Sequence, residues 1–552
     1  MDAAYIRSWL APHSYNYSVL LSLAAVFILV YFIILATYRL YFSPLRSIPG
    51  PWYAAVSDFW LTTHVLRLRR CRAIDDLFKR YGPIVRVGPN KVMFVDASAM
   101  RSVYGATNKF SKSTWYKALL TNENDHAMTR LEHSVHATIR RGYAPHYTSS
   151  NLALFQSEMH QFTLQLINTL TTLSIQTPSS YDTLLLFRLL MVDVNSAHLF
   201  GYNPGALTKW ANDESHATDA LSMTINDFPK RGLVRSALPE WLWNILTLVP
   251  NARWRKLCNS DKILAEYVSD RLYETRENLQ AGKIDIDNMD KIPLFVRLAH
   301  HRYSTTNEAM PDKDIVSEGM GHMIAGSDTT STTLSYIFWE LSRRPDIVSK
   351  LRKELDQCMP DPHQIPDIQI LQAKPYLGAL IKEVLRVYGA APSPLERVVS
   401  ATGPSSSATP FSLIGHILPP GTIVATQAWS LHRQSTVFPS PDVFNPDRWL
   451  SNSIADNTPS SQITSIPSFD PDSSLSSSAM NSHMMPFGSG TRTCGGQNVA
   501  QMMLRIVVAA MVRNFDVIAS SETTEKSMEI KDSFVIFPAG MECKLAFIPR
   551  TH

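Results

Sequence analysis

One cysteine in this chain has neighbours suited to chemistry. In PFGSGTRTCGG (486–496), Cys494 stands among four glycines, one arginine and one phenylalanine. Glycines there allow close backbone approach to a neighbouring group. Gly488 and Gly490 begin a G-x-G, but position 493 is Thr and no Lys-Ser/Thr pair follows, so no nucleotide loop is completed. An apolar helical run, QNVAQMMLRIVVAAMVRNF, starts near Gly496. A thiolate just ahead of it would gain from the N–H groups and dipole of a helix N-terminus. A buried structural cysteine in a turn is the plainer alternative.

A second stretch, IAGSDTTSTTLSYIFWELSRRP (324–345), places Asp328 and Thr329 amid apolar residues. Pro311 and Pro345 bracket some thirty helix-compatible residues, a helix of about 45 Å at about 1.5 Å per residue. Ala325-Gly326 would let a flat ligand approach its surface. A threonine hydroxyl can bond one turn back and distort the helix. A core helix with tolerated threonines is the alternative. Two weaker signals follow. PYLGALIKEVLRVYG (375–389) holds Glu383 and Arg386 on one helical face, a pairing that is usually a solvated surface bridge. HSVHATIRRGYAPHY (133–147) holds His136 and Arg140, which a solvated basic face would also explain.

Phe487, Gly490, Arg492, Cys494 and Gly496 match F-x-x-G-x-R-x-C-x-G. On that pattern the chain resembles the heme-thiolate monooxygenases of the cytochrome P-450 superfamily, and most of all membrane-anchored members from filamentous fungi. The resemblance implies a mainly α fold with small β-sheets. It implies heme b held by Cys494 as axial iron ligand, with Phe487 and Gly488 in the loop around the sulfur. Propionate partners would be Arg492, Arg140, Arg397 in PSPLERVV, and His136, which stands where the family often has Trp. It makes 324–345 the distal helix, with Ala325 and Gly326 against the heme and Asp328 and Thr329 relaying protons for oxygen activation. Arg448 in VFNPDRWL (443–450) would join Glu383 and Arg386 in a structural network. Trp115, Tyr116, Met320, Leu395 and Phe534 would line the substrate pocket, although aromatics equally fill cores.

The elements that must position these groups are legible in outline. Residues 19–38, VLLSLAAVFILVYFIILATY, form an uncharged run long enough to span a bilayer. A signal peptide would be shorter and end at a small-residue site. We read 1–18 as a short lumenal N-terminus, 19–38 as the anchor, and 39–52 as a stiff, extended Pro-rich hinge. The heme-thiolate domain then fills 53–552. Arg39 and Arg46 after the anchor, against Arg7 before it, place the domain in the cytoplasm, and the resemblance implies the endoplasmic reticulum membrane. The sequon Asn16-Tyr17-Ser18 lies against the membrane and is expected to be unused. RAIDDLFKRYG (72–82) reads as a helix ending on Gly82, and IVRVGPNKVMFVD (84–96) as a hairpin. TGPSSSATP (402–410) and the Ser-rich stretch 451–482 read as loops, the second flexible.

Composition narrows the function further. The chain has 552 residues, is 45% hydrophobic and carries a formal charge of +4. No basic run supports nucleic-acid binding. The five cysteines are far apart with no C-x-x-C, which fits neither a disulfide framework nor a zinc cage. The resemblance implies single-oxygen insertion from O2 into an apolar small molecule of fungal secondary metabolism, a terpenoid, polyketide or alkaloid. No flavin or iron–sulfur segment is evident, so electrons would come from NADPH–cytochrome P-450 reductase, and the enzyme would be monomeric. A heme-thiolate isomerase or dehydratase that uses no O2, a non-catalytic heme sensor, and a secreted peroxygenase are the competing readings.

Overall fold

The computed structural model describes residues 3–176, 179–213, 219–303, 306–400, 410–450 and 477–551, with only the backbone of 3–16. Helix α1 (Ala3–Thr37) continues through a π-helical turn to Phe42. Its Tyr17–Phe42 part has a mean hydropathy of 3.0 and is not buried, long and apolar enough to cross a membrane. Strands β1 (Ile84–Gly88) and β2 (Lys91–Phe94) form the expected hairpin. With β3 (Ser111–Lys112), β4 (Arg397–Val398) and β5 (Ile423–Ala425) they make a five-stranded sheet in the order β1-β2-β5-β4-β3. Only the β2–β5 pairing is parallel.

Helices make up most of the remainder. Those that place the site are α2 (His133–Tyr143), α3 (Thr183–Phe200), α4 (Asp312–Arg343), α5 (Pro375–Val387) and α6 (Gln497–Asn514). A hairpin of β6 (Ile530–Ser533) and β7 (Val535–Pro538) lies near the C-terminus. Helix α4 carries Asp312 and Asp314 in its first turn and Arg343 in its last, the charge arrangement that its dipole favours. Its middle is almost wholly buried, so the side chains of α3, α4, α5 and α6 meet in one large core. Helix α3 is also apolar enough to cross a membrane, but it is 89% buried and belongs to that core.

Three expectations change. The connector after the anchor is not an extended hinge. Residues 38–42 remain helical and 44–47 turn, while Leu45 and Ile48 are buried beneath the sheet with Val92, Phe94 and Val424. Arg86 of β1 stitches the segment down: Nη1 donates to the Arg39 carbonyl at 3.0 Å, and its backbone N–H donates to the Pro49 carbonyl at 2.8 Å. Gly50 is required there, because a Cβ would lie 2.5 Å from the Arg86 carbonyl oxygen. Secondly, Ser477–His483, counted within the Ser-rich loop, is a helix anchored by buried Met480. Residues 451–476, 401–409 and the Asn16 side chain lie outside the described residues. Thirdly, Met320, expected at the substrate pocket, packs into the main core, where it is fully buried.

Candidate active site

The cysteine loop is held from several sides. Gly488 and Gly490 take φ of +75° and +70°, which glycine adopts without strain. A Cβ on Gly490 would sit 1.8 Å from the Tyr104 carbonyl oxygen. The Cys494 N–H donates to the Phe487 carbonyl at 2.8 Å. Arg140 of α2 donates from Nη1 to the Thr493 carbonyl at 2.8 Å, and so clamps the loop just before the cysteine. Cys71, Cys258 and Cys543 are buried, whereas Cys494 is accessible. Enough protein still surrounds it that desolvation raises its thiol pKa, while the Gly496 N–H and Arg140 pull the other way.

Beneath the loop lies a buried charge cluster. Glu383 and Arg386 share a double hydrogen bond, with Nε to Oε2 at 2.9 Å and Nη2 to Oε1 at 2.8 Å. Arg448 Nε and the Trp449 indole N–H donate to the same carboxylate at 3.0 and 2.9 Å. Arg386 also donates to the His432 carbonyl at 2.9 Å, and His432 Nε2 accepts the Met485 N–H at 2.9 Å. The structure thus brings Glu383, Arg386 and Arg448 together, and His432 carries the network into the cysteine loop. His432 has no spacing signal that would single it out in the sequence.

Basic groups converge above the loop. His136 and Lys112 lie near Arg492, and Arg397 lies near both Lys112 and Arg492. Burial, then Arg492, lowers the His136 pKa to about 2, so it is a neutral imidazole able to donate one hydrogen bond. Burial also pushes Lys112 well down, with Arg397 and Arg492 adding to the shift. Arg492 uses both Nη atoms on the Arg130 and Leu131 carbonyls at 2.9 Å, but its buried Nε has no hydrogen-bond partner. The buried Tyr116 hydroxyl likewise has none. Unmatched buried cations and donors of this kind call for anionic groups, and two carboxylates of a heme fit them. Lys112 and Tyr116 join this set only in three dimensions: the Lys112 Nζ lies 4.6 Å from the Tyr116 ring centre.

On α4 the residues of the Ala-Gly-x-Asp-Thr motif separate. Ala325 is exposed and Thr329 half-buried, and the Thr329 hydroxyl donates to the Ala325 carbonyl one turn back at 2.7 Å. Gly326 points elsewhere. A Cβ on it would fall 2.8 Å from the Asn195 amide, so this glycine serves the approach of α3 to α4. Asp328 is buried and accepts from Arg188 Nη2 of α3 at 3.1 Å. Arg188 and Asp328 line a cavity with Asn226 and Lys230. A neighbouring cavity shares Arg188 and Asn226 with it and adds Asp182 and Arg253.

Of the expected pocket residues, Trp115, Tyr116 and Phe534 come together. The Trp115 centroid is 5.2 Å from those of both Tyr116 and Phe534. Leu395 lies beside the cysteine loop, its Cδ1 3.6 Å from where a Cβ on Gly488 would stand.

Comparison with known proteins agrees with this geometry. The cytochrome P450 family model matches residues 49–545. A benzoate 4-monooxygenase of Aspergillus niger is 26% identical over 517 residues, covering 90% of this chain and 92% of that protein. A tryprostatin B 6-hydroxylase of Aspergillus fumigatus is 26% identical, covering 90% of this chain and 79% of its own. A cytochrome P450 monooxygenase of Emericella nidulans is 26% identical, with coverage of 92% and 89%. With the match spanning nearly the whole described body and an accessible cysteine clamped in its glycine loop, the chain belongs to the cytochrome P450 family.

Proposed function

We propose that the protein is a membrane-anchored heme-thiolate monooxygenase that inserts one oxygen atom from O2 into an apolar small molecule of fungal secondary metabolism. The observation that carries this reading is the clamped, accessible Cys494 in a chain whose helix α4 carries both Asp328 and Thr329. One relative is named as a benzoate 4-monooxygenase and another as a tryprostatin B 6-hydroxylase, and the second favours hydroxylation over epoxidation here.

Bound heme, held as heme b, would supply the iron on which O2 is activated, and a thiolate ligand favours O–O cleavage. Cys494 provides that thiolate, Phe487 and Gly488 shape the loop around it, and the Gly496 N–H tempers its charge. Arg397, Arg492, His136, Lys112 and the Tyr116 hydroxyl would hold the heme carboxylates. Arg140 acts by holding the Thr493 carbonyl and so the cysteine. Ala325 gives the open surface of α4. Asp328 Oδ1 gathers protons arriving through the Arg188–Asn226 cavities, and the Thr329 hydroxyl passes them onward. Breaking the Arg188 ion pair is part of each delivery. Helix α1 anchors the domain in the endoplasmic reticulum membrane with its body in the cytoplasm. There NADPH–cytochrome P450 reductase docks on the cysteine side of the monomer and supplies electrons.

Reduced protein under carbon monoxide is expected to show the thiolate-type absorption band, lost in Cys494→Ala. With reductase, NADPH and isotopically heavy O2, the product is expected to gain one heavy oxygen. A product isomeric with its substrate, or one that forms without O2, would overturn the monooxygenase reading in favour of the O2-independent enzyme.

A further inference from the structure

Arg70 begins the helix Arg70–Tyr81 behind the aromatic group. It is 4% exposed, and its guanidinium carbon lies 5.5 Å from the centre of the Trp115 ring. Its Nη2 is sealed from solvent and has no hydrogen-bond partner. Asp532 of β6 is also 4% exposed. Its Oδ2 accepts the Cys71 N–H at 3.2 Å, its own N–H donates to the Leu68 carbonyl at 3.1 Å and the Cys71 thiol lies close by, while Oδ1 has no hydrogen-bond partner among the described residues. Arg70 is the charge that acts most strongly on the Asp532 carboxyl. A buried cation and a buried anion are therefore neighbours, and each keeps one unmet hydrogen-bonding atom. That is a costly arrangement unless something satisfies both.

The cover over this pair carries strain of its own. Phe534, two residues after Asp532, takes φ of +86°, a conformation that a bulky residue rarely adopts. Strain of this kind persists where the surroundings impose it, and it concentrates at ligand clamps. The Phe534 ring packs against Trp115, which in turn lies over Arg70.

We propose that Arg70 and Asp532 form the polar recognition pair of the substrate pocket, and that they take an uncharged group with an acceptor and a donor side by side, such as a carboxamide or lactam, on a flat ring held by Trp115 and Phe534. Arginine only donates and a carboxylate only accepts, so the ligand must accept from one and donate to the other. The two charges cancel, so neither an anion nor a cation is favoured as a whole. The pair lies outside the cysteine loop, the basic cluster and the proton route. Naming it as a substrate site rests on the monooxygenase reading.

Isothermal titration of the full-length protein with naphthamide, naphthoate and methylnaphthalene tests this directly. Naphthamide is expected to bind about tenfold or more tighter than either companion. Arg70→Met should erase that preference. Asp532→Asn, which leaves a net positive site, should move it toward naphthoate. A merely structural pair would lower Tm in both variants with the order of ligands unchanged, and that result overturns the proposal. So does a wild-type protein that binds all three alike or binds naphthoate best. Arg70→Lys keeps the charge and serves if Arg70→Met fails to fold: a weakened but surviving preference supports the pair. The carbon-monoxide band is recorded on the same samples. An amide preference in protein without that band would sink the heme-thiolate reading alone.

Discussion

The protein carries two buried charge clusters that look alike in a list of residues and differ in how they are satisfied. Around Glu383, both carboxylate oxygens accept several hydrogen bonds, and Arg386 is 1% exposed with every donor directed at an acceptor. Across the ligand-facing regions the pattern reverses. Arg70 Nη2, Tyr116 Oη, Arg492 Nε and Asp532 Oδ1 are all buried without partners. A satisfied network fixes geometry, whereas an unsatisfied one costs stability and is retained where a ligand completes it. The first cluster has the satisfied bonding of a scaffold, and the second is where the proposals above place ligand groups.

The largest effect should come from breaking the satisfied cluster. Arg386→Ala leaves a fully buried carboxylate without its main partner and is expected to cost about 3–5 kcal/mol, read as a fall in denaturant midpoint with loss of the carbon-monoxide band. Arg386→Lys cannot reproduce the double hydrogen bond and should recover only part of the loss. An unchanged midpoint would erase the distinction between the two clusters.

Next comes the loop itself. Gly490→Ala adds a Cβ against the Tyr104 carbonyl at a positive φ and is expected to cost about 1–3 kcal/mol for the backbone strain alone, before the clash is counted. Thermal unfolding with and without heme would show whether the loop or the whole domain gives way.

Acid should attack the satisfied side gradually. Burial lowers the His432 pKa from 6.5 to about 3. Below pH 6.5 the unfolded chain therefore takes up a proton that the folded chain refuses. Stability attributable to His432 is complete above 6.5 and declines by up to about 1.4 kcal/mol per pH unit as pH falls toward 3. A Tm that is flat from pH 7 to pH 4, or one whose slope is the same in His432→Asn, would contradict this.

The smallest effect on stability should accompany a large one on chemistry. Among the described residues, the Thr329 hydroxyl bonds only to the Ala325 carbonyl on its own helix. Thr329→Val is thus expected to shift stability by less than about 0.5 kcal/mol while lowering the product formed per NADPH consumed. A variant that folds and couples normally would remove Thr329 from the proton route.

Much of the scaffold was legible in the chain, because its signals are local. Gly82, Pro311 and Pro345 mark helix ends that the structure places at Tyr81, Asp312 and Arg343. The hairpin at 84–94 follows from alternation and its turn. The span from Pro375 to Val387 emerges as a helix with Glu383 and Arg386 on one face. Errors fell where packing overrode a local cue. The Pro-rich connector turns and buries Leu45 and Ile48 because Arg86, some forty residues on, supplies hydrogen-bond donors for its carbonyls. Met320 entered the core and Gly326 turned toward Asn195, because a helix face is assigned by its neighbours and not by its motif.

By itself, then, the sequence determined the family pattern, the cysteine, the membrane-length apolar run and the helices whose ends carry their own stop signals. Each of these depends on residues within a turn or two of one another. Only the tertiary structure decided that His432 ties the buried Glu383–Arg386 pair to the cysteine loop, that Lys112 and Tyr116 join the basic cluster, and that Asp328 is held by Arg188. His432 and Met485 are 53 residues apart and Arg188 and Asp328 are 140 apart, and contact between them depends on distance in space, which no local pattern encodes.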